Sequence, residues 1–210
     1  MKKGVKKKKK SSQNLSKALV PFILLVLALI LIFNLTDFKV PLQSPSDPII
    51  YLPLEGNAKD VSGNKNHGEI FNARSTDGQV GRALSFDESG DYVEIKNSED
   101  INLEEFTLAA WIYVDEDAQS WRRIIGKYNN DYAGGNDRGW MMYLADTTAG
   151  YLRCRIDDDG EGDAISSLKD AIPYETWTHV ACSFDGSKQR LYINGVEIKE
   201  EDATITIPQT

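Results

Sequence analysis

The chain has 210 residues with 24 basic and 32 acidic side chains, enough for one domain with accessory segments. Its net charge of −8 is unevenly divided: residues 1–40 carry nine lysines and one aspartate (+8), which leaves 15 basic and 31 acidic side chains (−16) for the remainder. The acidic remainder would repel phosphate, which argues against nucleic-acid binding by the N-terminal lysines.

The first predicted element is a membrane span over residues 18–35. Residues 18–33, "ALVPFILLVLALILIF", contain no charged side chain. Eighteen residues form a helix of about 27 Å, close to the roughly 30 Å hydrocarbon core of a bilayer. We predict a retained signal-anchor, with a cleaved signal peptide as the alternative. The Lys-rich residues 1–17 then stay in the cytoplasm against anionic lipid, and the rest of the chain is extracytoplasmic.

A linker is predicted over residues 36–48, "TDFKVPLQSPSDP". Three prolines, Pro41, Pro45 and Pro48, with serines between them are typical of a stiff and extended tether. The segment is expected to hold the following domain away from the membrane.

Residues 49–210 are predicted to form an all-β domain. Short stretches such as "DYVEI", "GYLRCRI" and "HVACSFD" alternate apolar and polar residues and are separated by turn-formers such as "DGSK" and "NG". The stretch "FTLAAWIYV" is more continuously apolar and is predicted to be buried on both faces. The pattern indicates an antiparallel β-sandwich or jelly roll.

Five stretches in sequence resemble the laminin-G-like family of concanavalin A-type jelly rolls. They are "YLPLEGNAKDVSGNKNHG", "GQVGRALSFDESGDYVEI", "FTLAAWIYVD", "IIGKY" and "TWTHVACSFDGSKQRLYING", between residues 51 and 195. The resemblance implies two antiparallel sheets packed face to face, used mostly for binding or adhesion on exported proteins. Proteins of this type usually continue through further strands after the last stretch. We therefore expect the sequence to be a fragment of a longer gene product, with the last strands of the sandwich missing.

Two reactive residues, His179 and Cys182, lie close together in "HVACSFD", but alternation sends them to opposite faces of a strand. They therefore make neither a nucleophile with its base nor a pair of zinc ligands. Cys182 and the only other cysteine, Cys154, are both predicted to point into the sandwich. The pattern leaves open whether they form a disulfide or stay as two buried thiols.

The sequence does not predict an enzyme. Laminarinase-type members of the wider fold carry E-x-D-x-x-E on one strand, with both catalytic carboxylates on one face. The nearest match begins at Glu161 and has Ser166 in place of the second glutamate, and Gly160 and Gly162 suggest a loop. We expect no intrinsic catalysis.

The acidic stretch "DDDGEGD", residues 157–163, is a candidate calcium site through Asp157 and Asp159, because calcium takes six to eight oxygen ligands. An EF-hand is excluded, since Leu168 stands where its bidentate glutamate belongs. Asp60 in "DVSGNKN" is a second candidate. The alternatives are a solvated hairpin tip for the first stretch and an Asx-type turn for Asp60.

Outward-facing tyrosines and arginines give the candidate binding face. If Leu152, Cys154 and Ile156 face the core, their neighbours on the strand face outward. Tyrosine rings stack on sugars, and guanidinium groups pair with hydroxyl, carboxylate or sulfate groups. Ordinary cross-strand pairing on a solvated sheet is the alternative. The predicted ligand-binding residues are Tyr143, Tyr151, Arg153, Arg155, Arg190 and Tyr192, with His179 on the same face and Trp121 as a rim contact. The family resemblance implies that Trp111 and Trp177 lie at positions that pack the core, so both are predicted to be structural.

Three functions are consistent with these features. The first is a membrane-anchored module that binds a glycan or an extracellular protein. The second is a structural envelope domain, and the third is a non-catalytic accessory domain of a larger surface hydrolase. The fold alone does not choose among them.

Overall fold

The structure is a computed structural model and describes residues 47–87, 90–116, 121–129, 138–145, 150–158 and 161–203. The chain divides into two compact units, Met1–Asp47 and Pro48–Thr210, and every element described below lies in the second. The predicted cytoplasmic segment, the predicted membrane span and most of the predicted linker lie outside the described residues. No helix in the described ranges is long and apolar enough to cross a membrane.

Twelve strands and one short 3-10 helix, Glu99–Ile101, make up the regular structure of the described ranges. The all-β prediction is confirmed. The strands are β1 (Gly68–Phe71), β2 (Arg74–Asp77), β3 (Arg82–Ser85), β4 (Tyr92–Ile95), β5 (Phe106–Ile112), β6 (Arg122–Asn129), β7 (Arg138–Ala145), β8 (Tyr151–Asp158), β9 (Glu161–Ser166), β10 (Thr178–Phe184), β11 (Lys188–Ile193) and β12 (Val196–Asp202).

Two four-stranded antiparallel sheets enclose the core. One, the front sheet, has the order β6-β7-β8-β9, and the other, the back sheet, has the order β12-β11-β10-β5. Met142 and Leu152 of the front sheet and Val180 and Leu191 of the back sheet are fully buried in one hydrophobic cluster. The inner faces of the two sheets therefore pack on each other, and their outer faces point in opposite directions. Two further pairs, β1-β4 and β2-β3, form small separate sheets.

The predicted alternation of core-facing and outward-facing residues is observed on β8 and β10. On β8, Cys154 is fully buried together with Leu152 and Ile156. On β10, Cys182 is fully buried between Val180 and the nearly buried Phe184. Both segments have a period of two because one side of each strand faces apolar side chains and the other faces outward.

The prediction that "FTLAAWIYV" is buried on both faces is wrong. Phe106 and Leu108 of β5 are buried, but Thr107 and Ala109 are exposed and Trp111 is 50% exposed. The back sheet meets the core with one face only, so the outward side chains of β5 are exposed. Ala109 and Trp111 are apolar residues in outward positions, and they made an alternating strand look continuously apolar.

Candidate binding face on the front sheet

The outer face of the front sheet brings together several of the predicted site residues. Tyr151, Arg153, Arg155 and Asp157 follow one another along β8 at alternate positions. Tyr143 of β7 lies directly opposite Arg153 in the antiparallel register. These side chains share a face because the residues between them on β8 are fully buried in the core.

Trp121 provides an exposed aromatic platform at the start of β6. Its ring stacks on that of Tyr143, with ring centroids 6.0 Å apart and an interplanar angle of 18°. The indole is 65% exposed, whereas Tyr143 is only 5% exposed. The Tyr143 ring therefore packs against one face of the Trp121 indole, and the other face of the indole stays open to solvent.

The backbone at Trp121 adds a second observation. Its φ of 62° lies in the left-handed region, which bulky side chains rarely adopt. Such conformations persist where the surrounding structure holds them, and they concentrate at functional sites. Trp121 is therefore the candidate aromatic contact of this face.

Small residues beside Trp121 leave the backbone of the sheet uncovered by side chains. Gly126 on β6 and Ala164 on β9 are both exposed on this face, opposite Met141 and Arg155 respectively. A Cβ atom on Gly126 would come within 2.8 Å of the Met141 Cβ atom. The face can therefore approach a flat ligand closely between its aromatic and its arginine side chains.

Arg153 and Arg155 of this face are both held by neighbouring side chains. Arg153 Nε donates a hydrogen bond to Ser166 Oγ on β9 at 2.7 Å. Arg155 forms an ion pair with Asp157, whose side chain is fully buried, and the Arg155 side chain is 32% exposed. Gly162 makes room for this pair, since a Cβ atom there would lie 2.8 Å from Asp157 Oδ2.

Arg190, Tyr192 and His179 do not belong to this face. They lie on β10 and β11 of the back sheet, so the prediction of one shared face for all the tyrosines and arginines is wrong. Alternation tells which side chains point outward but not which sheet a strand joins. Arg190 is also engaged, with Asp185 Oδ2 at 2.6 Å and Glu200 Oε2 at 2.8 Å. Hydrogen bonds to these two carboxylates raise the pKa of Arg190, and Arg190 in turn lowers the pKa of Asp185.

The outer face of the back sheet has its own aromatic pair. Trp111 is 50% exposed, so its prediction as a core residue is wrong. The Trp111 ring meets the His179 ring edge-on, with centroids 5.4 Å apart and an angle of 69°. The signal was present in the sequence, because Trp111 has the same parity as the exposed Thr107 and Ala109 and the opposite parity to the buried Leu108.

The chain was compared with known protein families, curated proteins and solved structures. The family model of the concanavalin A-like lectin/glucanases superfamily matches residues 87–210. The chain belongs to this superfamily. The assignment agrees with the two-sheet core and with the family resemblance of the sequence stretches.

The curated relatives align with only part of this chain. Pappalysin-1 of Mus musculus is 25% identical over 124 residues, which is 56% of this chain and 8% of that protein. Pappalysin-1 of Homo sapiens is 23% identical over 124 residues, with the same shares covered. The chain thus spans less than a tenth of the length of these relatives.

A solved structure shares the fold. Domain 4 of AbnA, a GH43 extracellular arabinanase from Geobacillus stearothermophilus solved in complex with arabinotriose, superposes with a TM-score of 0.55. The alignment covers 72% of this chain and 73% of that domain at 17% identity.

Asp60 organises the loop that precedes β1 and is only 3% exposed. Its Oδ1 atom accepts hydrogen bonds from the backbone N–H groups of Tyr51 and Ser62, and its Oδ2 atom accepts from Ser62 Oγ and the Asn66 N–H, all at 2.9 Å. Burial by itself would raise the pKa of Asp60, but these hydrogen bonds outweigh it and lower the pKa to about 2. Four donors occupy the roughly four lone-pair sites of a carboxylate, which favours the turn interpretation of Asp60 over a metal ligand.

The structure describes only one of the two other predicted calcium ligands. Asp157 is buried and its carboxylate faces Arg155, while Asp159 lies outside the described residues. Among the residues that the structure describes, no group of three or more His, Cys, Asp or Glu side chains converges on one point. Calcium binding stays a prediction.

Both cysteines lie in the core. Cys154 and Cys182 are free and fully buried, on β8 of the front sheet and β10 of the back sheet. Burial raises the pKa of the Cys182 thiol well above its usual value. His179 lies on the opposite side of β10 against Trp111, so the histidine and the cysteine of "HVACSFD" cannot act together, as predicted.

Proposed function

We propose that this chain is a non-catalytic carbohydrate-binding module that uses the outer face of the front sheet. The observation that carries the proposal is the exposed Trp121 ring, stacked on the buried Tyr143 in a left-handed backbone conformation. Aromatic faces stack on the apolar faces of sugar rings, and the neighbouring Arg153 and Arg155 supply hydrogen-bond donors to hydroxyl groups. An arabinotriose complex of a domain with the same fold supports this ligand class.

The proposal assigns a different weight to each predicted site residue. Trp121 and Tyr143 form the stacking platform, and Arg153, Arg155 and Tyr151 line the same face. Arg190 and Tyr192 are not part of the site, because they lie on the back sheet and Arg190 is paired with two carboxylates.

Membrane anchoring belongs to the same proposal. The apolar residues 18–35 would anchor the chain with residues 1–17 in the cytoplasm, and the linker 36–48 would present the β-domain outside the membrane. Membrane fractions washed with alkaline carbonate should retain the chain. Protease added to cells from which the layers outside the membrane have been removed, with the membrane left intact, should digest the β-domain. Release by carbonate would contradict the anchor.

The test of binding uses two tryptophans in matched positions. Trp121 and Trp111 are both half or more exposed, but they lie on opposite outer faces. The full chain in detergent should be screened against arabinotriose and a panel of neutral, uronate and sulfated oligosaccharides. With a ligand in hand, Trp121→Ala should weaken binding about tenfold or more, equivalent to roughly 1.4 kcal/mol, and Trp111→Ala should leave it unchanged.

The outcomes separate the candidate functions. Loss of binding in Trp111→Ala with retention in Trp121→Ala would place the site on the back sheet and overturn the proposal. Absence of binding to every sugar in the panel would favour the structural envelope domain. An accessory role in a larger hydrolase is compatible with the proposed site, since such a domain would bind the polymer that another domain cleaves.

A further inference from the structure

The outer face of the front sheet presents positive charge, although residues 41–210 together carry 15 basic and 31 acidic side chains. In the described part of this sheet, the antiparallel register places four charged residues on the outer face: Arg123, Arg153, Arg155 and Asp157. The Asp157 side chain is fully buried against Arg155, so no carboxylate of the described face is presented to solvent. Charges act over roughly 8 Å at physiological ionic strength. A ligand on this face therefore meets the arginines rather than the net charge of the domain.

Arg153 and Arg190 occupy similar positions on the two sheets, but only Arg190 has a carboxylate opposite it. Arg190 faces Glu200 on the neighbouring strand and forms an ion pair with it at 2.8 Å. Arg153 faces Tyr143 on one side and Ser166 on the other. Among the described residues, its only side-chain partner is the Ser166 hydroxyl, which accepts a hydrogen bond from Arg153 Nε at 2.7 Å. The two terminal nitrogen atoms of the Arg153 guanidinium therefore keep their donors for a ligand.

Arg153 lies on the same face as the aromatic platform, across the sheet from Trp121. Trp121 stands at the start of β6, and Arg153 lies on β8, with Tyr143 of β7 between them. Two strand spacings separate β6 from β8, a distance of roughly 10 Å that is longer than one sugar ring. A sugar chain with one unit stacked on Trp121 would therefore bring a neighbouring unit to Arg153.

We propose that the ligand of this face is an acidic oligosaccharide, in which Arg153 binds a uronate carboxylate on a sugar unit next to the one that stacks on Trp121. The inference rests on the proposed function, because it adds a charge-specific contact to the same site. The planar guanidinium group matches the two oxygen atoms of a carboxylate. Arg155 makes such a contact within the protein, since its guanidinium binds the Asp157 carboxylate. Arg153 thus determines the preference for a charged sugar, and Trp121 contributes stacking that acidic and neutral sugars share.

The experiment compares each acidic sugar with its own methyl ester, which keeps the rings and linkages and removes the charge. The full chain in a non-ionic detergent is titrated in a calorimeter with linear trimers of galacturonate, glucuronate and mannuronate, and with the methyl ester of each. We expect at least one acidic trimer to bind about tenfold or more tightly than its ester. About 0.5 M sodium chloride should reduce this preference, because salt screens the attraction between the carboxylate and the guanidinium.

Three variants separate the charge contact from stacking. Arg153→Gln should weaken binding of the acidic trimer about tenfold or more and change binding of the ester by less than about twofold. Trp121→Ala should weaken binding of acid and ester alike, because stacking does not depend on the charge. Arg74→Gln is the matched control, since it removes the same charge from a side chain that is 67% exposed on β2, outside the front sheet, and it should change neither affinity. If Arg153→Gln does not fold, the ratio of acid to ester in the wild type still tests the proposal.

Three results would overturn the proposal and leave carbohydrate binding intact. The first is that neutral sugars bind while every acidic trimer binds no more tightly than its ester. The second is an equal loss for acid and ester in Arg153→Gln, since Arg153 would then contact a part that both ligands share. The third is a trimer of galactose 6-sulfate that binds more tightly than every uronate trimer and depends on Arg153, because the anion would then be a sulfate. Binding of no sugar at all, acidic or neutral, would instead contradict the proposed function itself.

Discussion

Asp60→Asn tests how much one buried carboxylate contributes to the fold. Its two oxygen atoms accept four hydrogen bonds, three from backbone N–H groups and one from a hydroxyl. Asparagine has almost the same shape, but its amide offers only one acceptor oxygen and turns an NH₂ group toward donors. The substitution therefore removes acceptors from a loop that is otherwise unchanged.

The magnitude follows from the pKa of the folded chain. The pKa falls from its ordinary 3.8 to about 2, and at about 1.4 kcal/mol per unit the ionised carboxylate contributes about 2 kcal/mol at neutral pH. Because the folded pKa is the lower one, this contribution is fully present above about pH 5 and is lost as the pH falls toward 2. Near pH 3, roughly half of it should remain.

Urea unfolding of the wild type and of Asp60→Asn at pH 7, 5 and 3 measures this contribution. The variant should be less stable by about 2 kcal/mol at neutral pH, and the difference should shrink to about half near pH 3. Asp77→Asn is the matched control, because the Asp77 side chain is 93% exposed and should change stability by less than about 0.5 kcal/mol. Equal stability at pH 7, or a difference that does not depend on pH, would refute the role given to the Asp60 carboxylate.

Two further predictions concern packing and calcium. Gly68→Ala should destabilise the domain by about 1–3 kcal/mol in urea unfolding, because the added Cβ atom would lie 2.4 Å from Val93 Cγ1 and 3.0 Å from Ala58 Cβ. An unchanged urea midpoint would contradict this, since it would mean that the Val93 side chain moves aside without loss of stability. If residues 157–163 bind calcium as predicted, about 10 mM calcium should raise the thermal midpoint by a few degrees over EDTA, and Asp159→Asn should remove that rise. A midpoint insensitive to calcium would contradict the site.

The position of the two cysteines shows how far alternation reaches. A period of two on β8 and β10 was enough to predict that Cys154 and Cys182 both face the core and that His179 points away from Cys182. It was not enough to predict that the two cysteines lie on different sheets. Cys154 belongs to the front sheet and Cys182 to the back sheet, and only the pairing of the strands decides this.

Trp111 and Asp157 show why some site residues were assigned wrongly or incompletely. Trp111 was predicted to be structural because the resembling family packs its core at that position, but its parity places it on the outer face of the back sheet, where it is 50% exposed. Asp157 was chosen from a run of acidic residues, and no pattern in the sequence indicates that its carboxylate is buried beside Arg155. Arg155 and Asp157 lie two residues apart on β8, and Gly162 on the neighbouring strand leaves space for their ion pair.

The sequence by itself determined the all-β class, the inward and outward residues of the central strands and the family. These features depend on local periodicity and on short motifs within single strands and turns. Only the tertiary structure decided which strands share a sheet. That assignment separated Tyr143, Arg153 and Arg155 from Arg190 and Tyr192, and placed Trp121 over Tyr143. The physical reason is that outward-facing side chains on two packed sheets obey the same alternation while they point to opposite sides of the molecule.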